Sequence, residues 1–203
     1  MPLFNTFVNA IATLTNTKFG KDALSSASLS GTDNVAIGKG ALAVNTTAAS
    51  NTAVGASALT SNLTGSFNTA VGKGTASGIT TGTNNTAIGY LALSSASGVS
   101  KSNNTVVGYQ AGVSISGGDG NTLIGSGANV SVAARDNCIA IGRDASAGDN
   151  ANGEIAIGAA ARPVVTGVTA MVVGAAAALP GLPAGWLQVK INGTYQKFPY
   201  WNN

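Results

Sequence analysis

Short apolar segments, each closed by a glycine, recur along the chain at almost constant spacing. The clearest copies begin with asparagine, at Asn34, Asn51, Asn68, Asn85, Asn104 and Asn121, and end with glycine, at Gly38, Gly55, Gly72, Gly89, Gly108 and Gly125. Fainter copies end at Gly20, Gly142, Gly158 and Gly174, and successive glycines lie 16 to 19 residues apart. Self-similarity at a fixed period of this size is the signature of a solenoid. The chain is therefore predicted to form about ten stacked coils of about 17 residues.

The residues within one period favour strands over helix. Phe, Ile or Val stands directly before each of these glycines, and Ala stands three residues after nine of the ten. Such β-branched and small residues, separated by Gly, Asn, Ser and Thr, predict a coil with a strand, a turn, a second strand and a return loop. We place return loops at 25–32, 45–50, 61–66, 94–103 and 114–119. The fold class is all-β, a parallel β-solenoid whose strands stack about 4.8 Å apart.

The glycine and the asparagine of each copy are predicted to hold up the fold. A glycine needed once in every coil indicates a positive φ or a backbone approached too closely for a Cβ. The asparagine four residues earlier can form a ladder from coil to coil, or it can hydrogen-bond within its own turn. Neither role involves a ligand.

The two ends differ from the repeat domain, which spans 16–178. Residues 1–15 carry apolar side chains near helical spacing and are predicted to dock or to cap the first coil, as a helix or a strand. A Pro- and Gly-containing linker at 179–184 precedes 185–203, where Asn-Gly between alternating segments predicts a β-hairpin. This aromatic hairpin either caps the solenoid or meets a capsid, a tail or a host glycan. Candidate docking or receptor-contact residues are Phe4, Phe7, Trp186, Tyr195, Phe198, Tyr200 and Trp201.

Composition indicates a thin core that needs partner chains. Hydrophobic residues make up 44% of the chain and charged residues 8%, which excludes the usual profile of a disordered protein. Bulky side chains are few, so burial inside one coil barely offsets the conformational entropy of ordering it. With alanine on one strand face and a larger aliphatic on the other, a coil could bury one face and press the small face against identical neighbours. We expect a homotrimer.

The sequence offers no constellation for catalysis, cofactor binding or metal binding. There is no histidine, and the single cysteine, Cys138, is predicted to be a small semi-buried filler. A Gly-Gly-Asp-Gly-Asn segment at 117–121 resembles part of a calcium-binding repeat but occurs once. The ten basic residues are spread along the chain, which argues against nucleic-acid binding. We find no secretory signal and no stretch long enough to span a membrane, and we expect synthesis in a cytoplasm.

The repeated phrase resembles the head repeat of a known family. Asn-Thr-Ala-Val-Gly at 51–55 and 68–72, with Ala three residues further on at Ala58, is similar to repeats of YadA-like trimeric autotransporter adhesins. The resemblance covers 16–178 and implies a trimeric, left-handed parallel β-roll. The present coils are longer than typical adhesin repeats, and neither an export signal nor room for a membrane anchor is evident. The segment 185–203 is in turn similar to C-terminal segments of bacteriophage tail-fibre and appendage proteins.

Together these features predict a structural protein of a bacteriophage particle, not an enzyme. It would be a trimeric fibre, or a capsid or tail decoration, made in the host cytoplasm and carried on the outer surface of the virion. One alternative is the head domain of a trimeric bacterial surface adhesin. A more remote one is an ice-binding solenoid, since threonine follows the asparagine in most copies and forms a column.

Overall fold

The computed structural model describes residues 15–95, 100–131, 134–147, 152–158, 171–172, 185–191 and 194–200. The chain divides into two compact units, Met1–Val173 and Gly174–Asn203. Strands of the first unit are β1 (Thr17–Phe19), β2 (Val35–Ile37), β3 (Thr52–Val54), β4 (Thr69–Val71), β5 (Thr86–Ile88), β6 (Thr105–Val107), β7 (Thr122–Ile124), β8 (Asn129–Val130), β9 (Ile139–Ile141), β10 (Ser146–Ala147), β11 (Ile155–Ile157) and β12 (Met171–Val172). The second unit contains β13 (Gly185–Ile191) and β14 (Thr194–Tyr200).

The first unit is built around one parallel sheet to which each copy of the repeat adds a strand. The sheet order is β1, β2, β3, β4, β5, β6, β7, β9, β11 and β12. Neighbouring strands are in register, so that Ala53 pairs with Ala70 and Val54 with Val71. The all-β parallel solenoid predicted from the period is confirmed, and about eight turns lie between Gly20 and Gly158.

The prediction of a second strand in every coil is wrong for most of the described coils. Within the described residues, two-residue second strands occur at β8 and β10, which pair with each other. Several other coils instead have a leucine in the left-handed conformation, with φ of 49° at Leu42 and Leu59 and 54° at Leu93. A left-handed residue turns the chain away from an extended course. Hydrogen bonding between coils continues through this turn, since the Leu42 N–H donates to the Ala58 carbonyl at 3.0 Å.

The interior of the solenoid is narrow and lined mostly by small side chains. The middle residue of each three-residue strand from β2 onward is buried, as Ala53 and Ala70 are, whereas the first and third residues are partly or largely exposed. The expectation that the alanine face would press against neighbouring chains is therefore wrong. Side chains alternate between the two faces of a strand, and the inner face also packs with turn residues such as Leu59. Only a small residue fits beside such a leucine, so the Val or Ile before each glycine lies outside.

One coil shows how tightly side-chain sizes are matched inside. Gly112 occupies the position that Leu42 and Leu59 hold in their coils, and in that coil the middle strand residue is Val106 instead of alanine. A Cβ at Gly112 would lie 3.1 Å from Cγ1 of Val106. The space left by the missing leucine is thus filled from the strand.

The repeated glycine meets both conditions predicted for it. At Gly55 φ is 134°, and a Cβ there would lie 2.4 Å from the carbonyl oxygen of Gly72 in the next coil. Both the left-handed φ and the close approach of the next backbone exclude a side chain. The glycine therefore allows neighbouring coils to stack closely at this corner.

The C-terminal unit is an antiparallel pair, with Ile191 paired to Thr194 and Gly185 to Tyr200, as the hairpin prediction requires. These strands carry Trp186, Tyr195, Phe198 and Tyr200. The hairpin turn 192–193, the linker 179–184, Trp201 and residues 1–14 with Phe4 and Phe7 lie outside the described residues. No helix in the described part of the chain has the length and apolar character needed to cross a membrane.

Candidate functional site

An asparagine ladder runs through the solenoid along one corner. The side-chain oxygen of Asn34 accepts hydrogen bonds from the backbone N–H of Asn51 at 3.0 Å and from its Nδ2 at 3.1 Å. The same Nδ2 donates to the Gly65 carbonyl at 2.9 Å. The equivalent residues are all buried and continue the ladder: Asn34, Asn51, Asn68, Asn85, Asn104 and Asn121. The amide therefore acts between coils and fixes their register.

Cys138 takes the ladder position in the next coil. Its backbone N–H donates to the side-chain oxygen of Asn121 at 2.9 Å, and its thiol lies 3.5 Å from the carbonyl oxygen of Asp136. The side chain is buried. Its place in the fold agrees with the role of a small filler that the sequence predicts.

The outer face of the parallel sheet carries two columns of side chains. Third residues of the strands form what we call the apolar column, which consists of Phe19, Ile37, Val54, Val71, Ile88, Val107, Ile124, Ile141 and Ile157. The exposed fraction is 62% at Phe19 and 36% at Val71, and Val54 and Val107 are half-buried. First residues form the parallel column, with threonine at Thr17, Thr52, Thr69, Thr86, Thr105 and Thr122. Because first and third residues share a face, the sheet presents a strip that is apolar along one side and rich in threonine along the other.

Besides the asparagine ladder, Lys101 and the pair Asn45 and Asn62 bring polar groups into the interior, and the sequence analysis missed both features. Lys101 is fully buried, its Nζ donates to the hydroxyl of Ser95, and burial lowers the pKa of its ammonium to about 8. The side-chain oxygens of Asn45 and Asn62 are buried without a hydrogen-bond partner. The one sequence signal for Lys101 is its place in the longest coil, where 19 residues separate Gly89 from Gly108.

Exposed aromatic residues also lie on the solenoid itself, away from the two ends where the sequence analysis placed them. Tyr90 and Tyr109 belong to adjacent coils and stack, with ring centroids 5.4 Å apart and planes at 15°. Phe67 is 63% exposed and has a left-handed φ of 61°. A tyrosine pair 19 residues apart is hard to recognise until the coil length is known.

The described residues were also searched for a site that could bind a metal ion. No group of three or more His, Cys, Asp or Glu side chains comes together there in a way that could hold a metal ion. Comparison with known proteins finds no family model, no curated protein and no solved structure that matches the chain. The site must therefore be interpreted from its own geometry, in which the apolar column is the most extended feature.

Proposed function

We propose that this chain is a structural protein of a bacteriophage particle. Three copies would form a left-handed β-roll of about ten coils per chain, as a fibre or as a decoration of the capsid or tail. The observation that carries the proposal is the apolar column, which runs from Phe19 to Ile157 on the outside of a single chain. Extended exposed apolar surface of this kind marks an interaction site.

The apolar column supports association of identical chains along the length of the sheet. Val71 and Ile157 are only 36% and 48% exposed in one chain, so covering such a side chain would contribute roughly 0.5–1.5 kcal/mol, and the column supplies one such residue in nearly every coil. Because Asn34, Asn51 and their equivalents fix the register, the spacing of the column is the same in each copy. If identical chains are related by rotation about an axis parallel to the direction in which the strands stack, the apolar columns of all the chains face one another. Three-fold symmetry is favoured by the resemblance of the repeat to trimeric adhesin heads.

The two ends support a place in a virion. The C-terminal strands β13 and β14 form the aromatic hairpin that resembles segments of phage appendage proteins. Its aromatic residues, together with Phe4 and Phe7 near the N-terminus, are the proposed contacts to capsid or tail proteins or to a host glycan. The solenoid between the ends would act as the exposed rod.

The main alternative, a trimeric adhesin head on a bacterial surface, draws on the same repeat at 16–178 and predicts the same oligomer. The ice-binding alternative draws on the threonine column, but that column is a single file beside apolar residues, whereas ice binding requires a wide flat array. Measurement of thermal hysteresis separates the ice-binding alternative from both others.

The test has two parts, oligomeric state and location. Native mass spectrometry of the purified protein is expected to give the mass of three chains. Purified phage particles from cells that express the gene are expected to contain the chain, detected by peptide mass fingerprinting and by antibody labelling. A trimer found on a bacterial surface and absent from virions would favour the adhesin alternative, and a monomer would reject both.

A further inference from the structure

The residues that directly follow the repeated glycines form a second exposed column, which we call the post-glycine column. It consists of Lys21, Lys39, Ala56, Lys73, Tyr90, Tyr109, Ser126 and Arg143. Backbone hydrogen bonds keep its members adjacent from coil to coil, as when the Gln110 N–H donates to the Tyr90 carbonyl at 2.9 Å. Except for the half-buried Ala56, all of these residues are exposed.

The column gathers charge that appears scattered in the sequence. Four of the ten basic residues lie on it, namely Lys21, Lys39, Lys73 and Arg143. The repeat period brings these four residues, which are far apart in sequence, to one side of the coil. Two carboxylates lie beside them, Asp22 next to Lys21 and Asp144, whose Oδ2 is 3.7 Å from Nε of Arg143. The column therefore carries separated positive charges, and its charge density is low.

One residue with a small side chain, Ser126, separates Tyr109 from Arg143 along the post-glycine column. Tyr90 stacks against one face of Tyr109 and supports it, while 42% of Tyr90 and 54% of Tyr109 stay exposed. The neighbour on the other side of Tyr109 is Ser126, whose side chain is small. Two coil steps, about 10 Å, separate the Tyr109 and Arg143 rows. A sugar ring stacked on the free face of Tyr109 at about 3.5–4.0 Å would lie over Ser126, with the long Arg143 side chain one coil further on.

We propose that the post-glycine column binds an acidic polysaccharide, with one sugar ring stacked on Tyr109 above Ser126. The guanidinium of Arg143 offers paired donors to a carboxylate on that sugar. Lys73, next to Tyr90, is placed to meet a further carboxylate along the same polymer. This inference adds a ligand class and a site to the proposed function and requires neither the trimer nor the virion.

Charge density favours a polysaccharide over a nucleic acid. Duplex DNA carries one negative charge per about 1.7 Å of axis, whereas the column offers single cations separated by one to several coil steps of about 4.8 Å. Asp22 and Asp144 would further oppose a dense polyanion. Polymers with one carboxylate on a sugar unit match the observed spacing better.

Calorimetric titration of the full-length, assembled protein with a galacturonate hexamer tests the site. We expect saturable binding, a loss of roughly tenfold or more in affinity for Tyr109→Ala, and a weaker, less salt-dependent interaction for Arg143→Gln. Alanine and serine occur naturally on this column at Ala56 and Ser126, so Tyr109→Ala should fold. Matched controls are Phe67→Asn, an exposed aromatic in another column that has asparagine at the equivalent Asn84, and Lys18→Gln, an exposed cation on β1.

Each other result overturns the proposal. Absence of binding would do so, whether the column lacks affinity or a neighbouring chain covers it. Equal affinity for the neutral maltohexaose would remove the acidic class, and tighter binding of a single-stranded oligonucleotide would identify a nucleic-acid site instead. Equal losses in the Phe67→Asn or Lys18→Gln controls would show that binding is not local to Tyr109 and Arg143.

Discussion

The side-chain oxygen of Asn51 accepts two hydrogen bonds from Asn68, one from the backbone N–H at 2.9 Å and one from Nδ2 at 3.1 Å. Nδ2 of Asn68 also donates to the Gly82 carbonyl at 2.8 Å. One buried amide thus connects three coils. Because a buried polar group left without a partner costs about 1–3 kcal/mol, this connection makes a slip in register costly and keeps the outer columns straight.

Replacement of Asn68 by alanine should destabilise the solenoid strongly. The change removes the donor to Gly82 and the acceptor that serves the backbone and side chain of Asn85. We expect a loss of about 2–5 kcal/mol in the free energy of unfolding, measured by urea denaturation at fixed protein concentration. The exposed Thr81→Ala serves as control and should change stability by less than about 0.5 kcal/mol. Equal stability of Asn68→Ala and the control would contradict a structural role for the ladder.

The close stacking at the repeated glycine predicts a contrast between two alanine substitutions. Gly55→Ala places a Cβ 2.4 Å from the Gly72 oxygen at a left-handed φ, whereas a Cβ at Gly117 meets nothing within 4 Å. Gly55→Ala is expected to lower the melting temperature markedly or to prevent folding, and Gly117→Ala to leave it nearly unchanged. A melting curve for each variant decides the matter, and similar curves would show that coils do not approach closely at Gly55.

The matched sizes of Val106 and Gly112 predict that two harmful substitutions compensate. Val106→Ala leaves a cavity, and Gly112→Leu overfills the same space, so each alone should destabilise by about 1–3 kcal/mol. The double variant reproduces the alanine and leucine pairing of the coils that contain Leu42 and Leu59, with a left-handed leucine that those coils already tolerate. A double-mutant cycle should therefore give a favourable coupling free energy. Simple additivity would mean that the two side chains do not share one space.

Lys101 predicts a specific dependence of stability on pH. Burial lowers the pKa of its ammonium from the usual 10.5 to about 8 in the folded chain. Between these values the unfolded chain binds more protons, so folding stability should rise as pH increases from about 8 to 10.5. Below pH 8 the ammonium is charged in both the folded and the unfolded chain, so the full cost of desolvating it lowers the stability of the folded chain.

The comparison of wild type with Lys101→Met isolates this contribution. Methionine keeps an unbranched apolar stem without a charge to desolvate, so the variant should have the higher urea midpoint at pH 7. The difference should shrink as pH approaches 10.5, because only the wild type gains stability there. Parallel pH profiles for the two proteins would show that Lys101 is not buried as a charged group.

Periodicity predicts the fold of this chain well because each coil repeats the same physical constraints. Gly55 and Asn51 have one role each, set by a neighbour a single coil away, and the spacing in sequence identifies that neighbour. The direction of the strand side chains could not be predicted in the same way. In a three-residue strand such as Thr52–Val54, the alternation of side chains is equally consistent with Ala53 facing the interior or the outside. The orientation depends on packing against Leu59, a residue of the turn that follows the strand.

Features that occur in a single coil could not be predicted from the sequence either. The stack of Tyr90 on Tyr109 depends on the alignment of adjacent coils across the longest repeat, and Lys101 is buried within that same coil. Leu42 adopts a left-handed conformation that leucine usually avoids, at a backbone cost of about 1–2 kcal/mol, and its side chain is fully buried in the core. Such outcomes are decided by tertiary contacts, not by local propensity.

The apolar column predicts that a charge on the outer face separates the chains without unfolding the coil. Val71→Asp places a carboxylate in the column, where its desolvation in a chain-to-chain contact is costly. We expect loss of the trimer in sedimentation experiments while the β-type circular dichroism signal remains. Thr64→Asp, an exposed position in a loop, is the control and should stay trimeric. A trimeric Val71→Asp would place the contact between chains elsewhere.

The native mass of the purified wild-type protein tests most directly whether chains share the apolar column, on which the proposed trimeric β-roll depends. One chain has a mass of 19.7 kDa. We expect a single species at three times that mass, stable on dilution to micromolar concentration. A stable, soluble monomer would contradict it, because Phe19, Val71 and Ile157 would then be exposed to water in the functional protein.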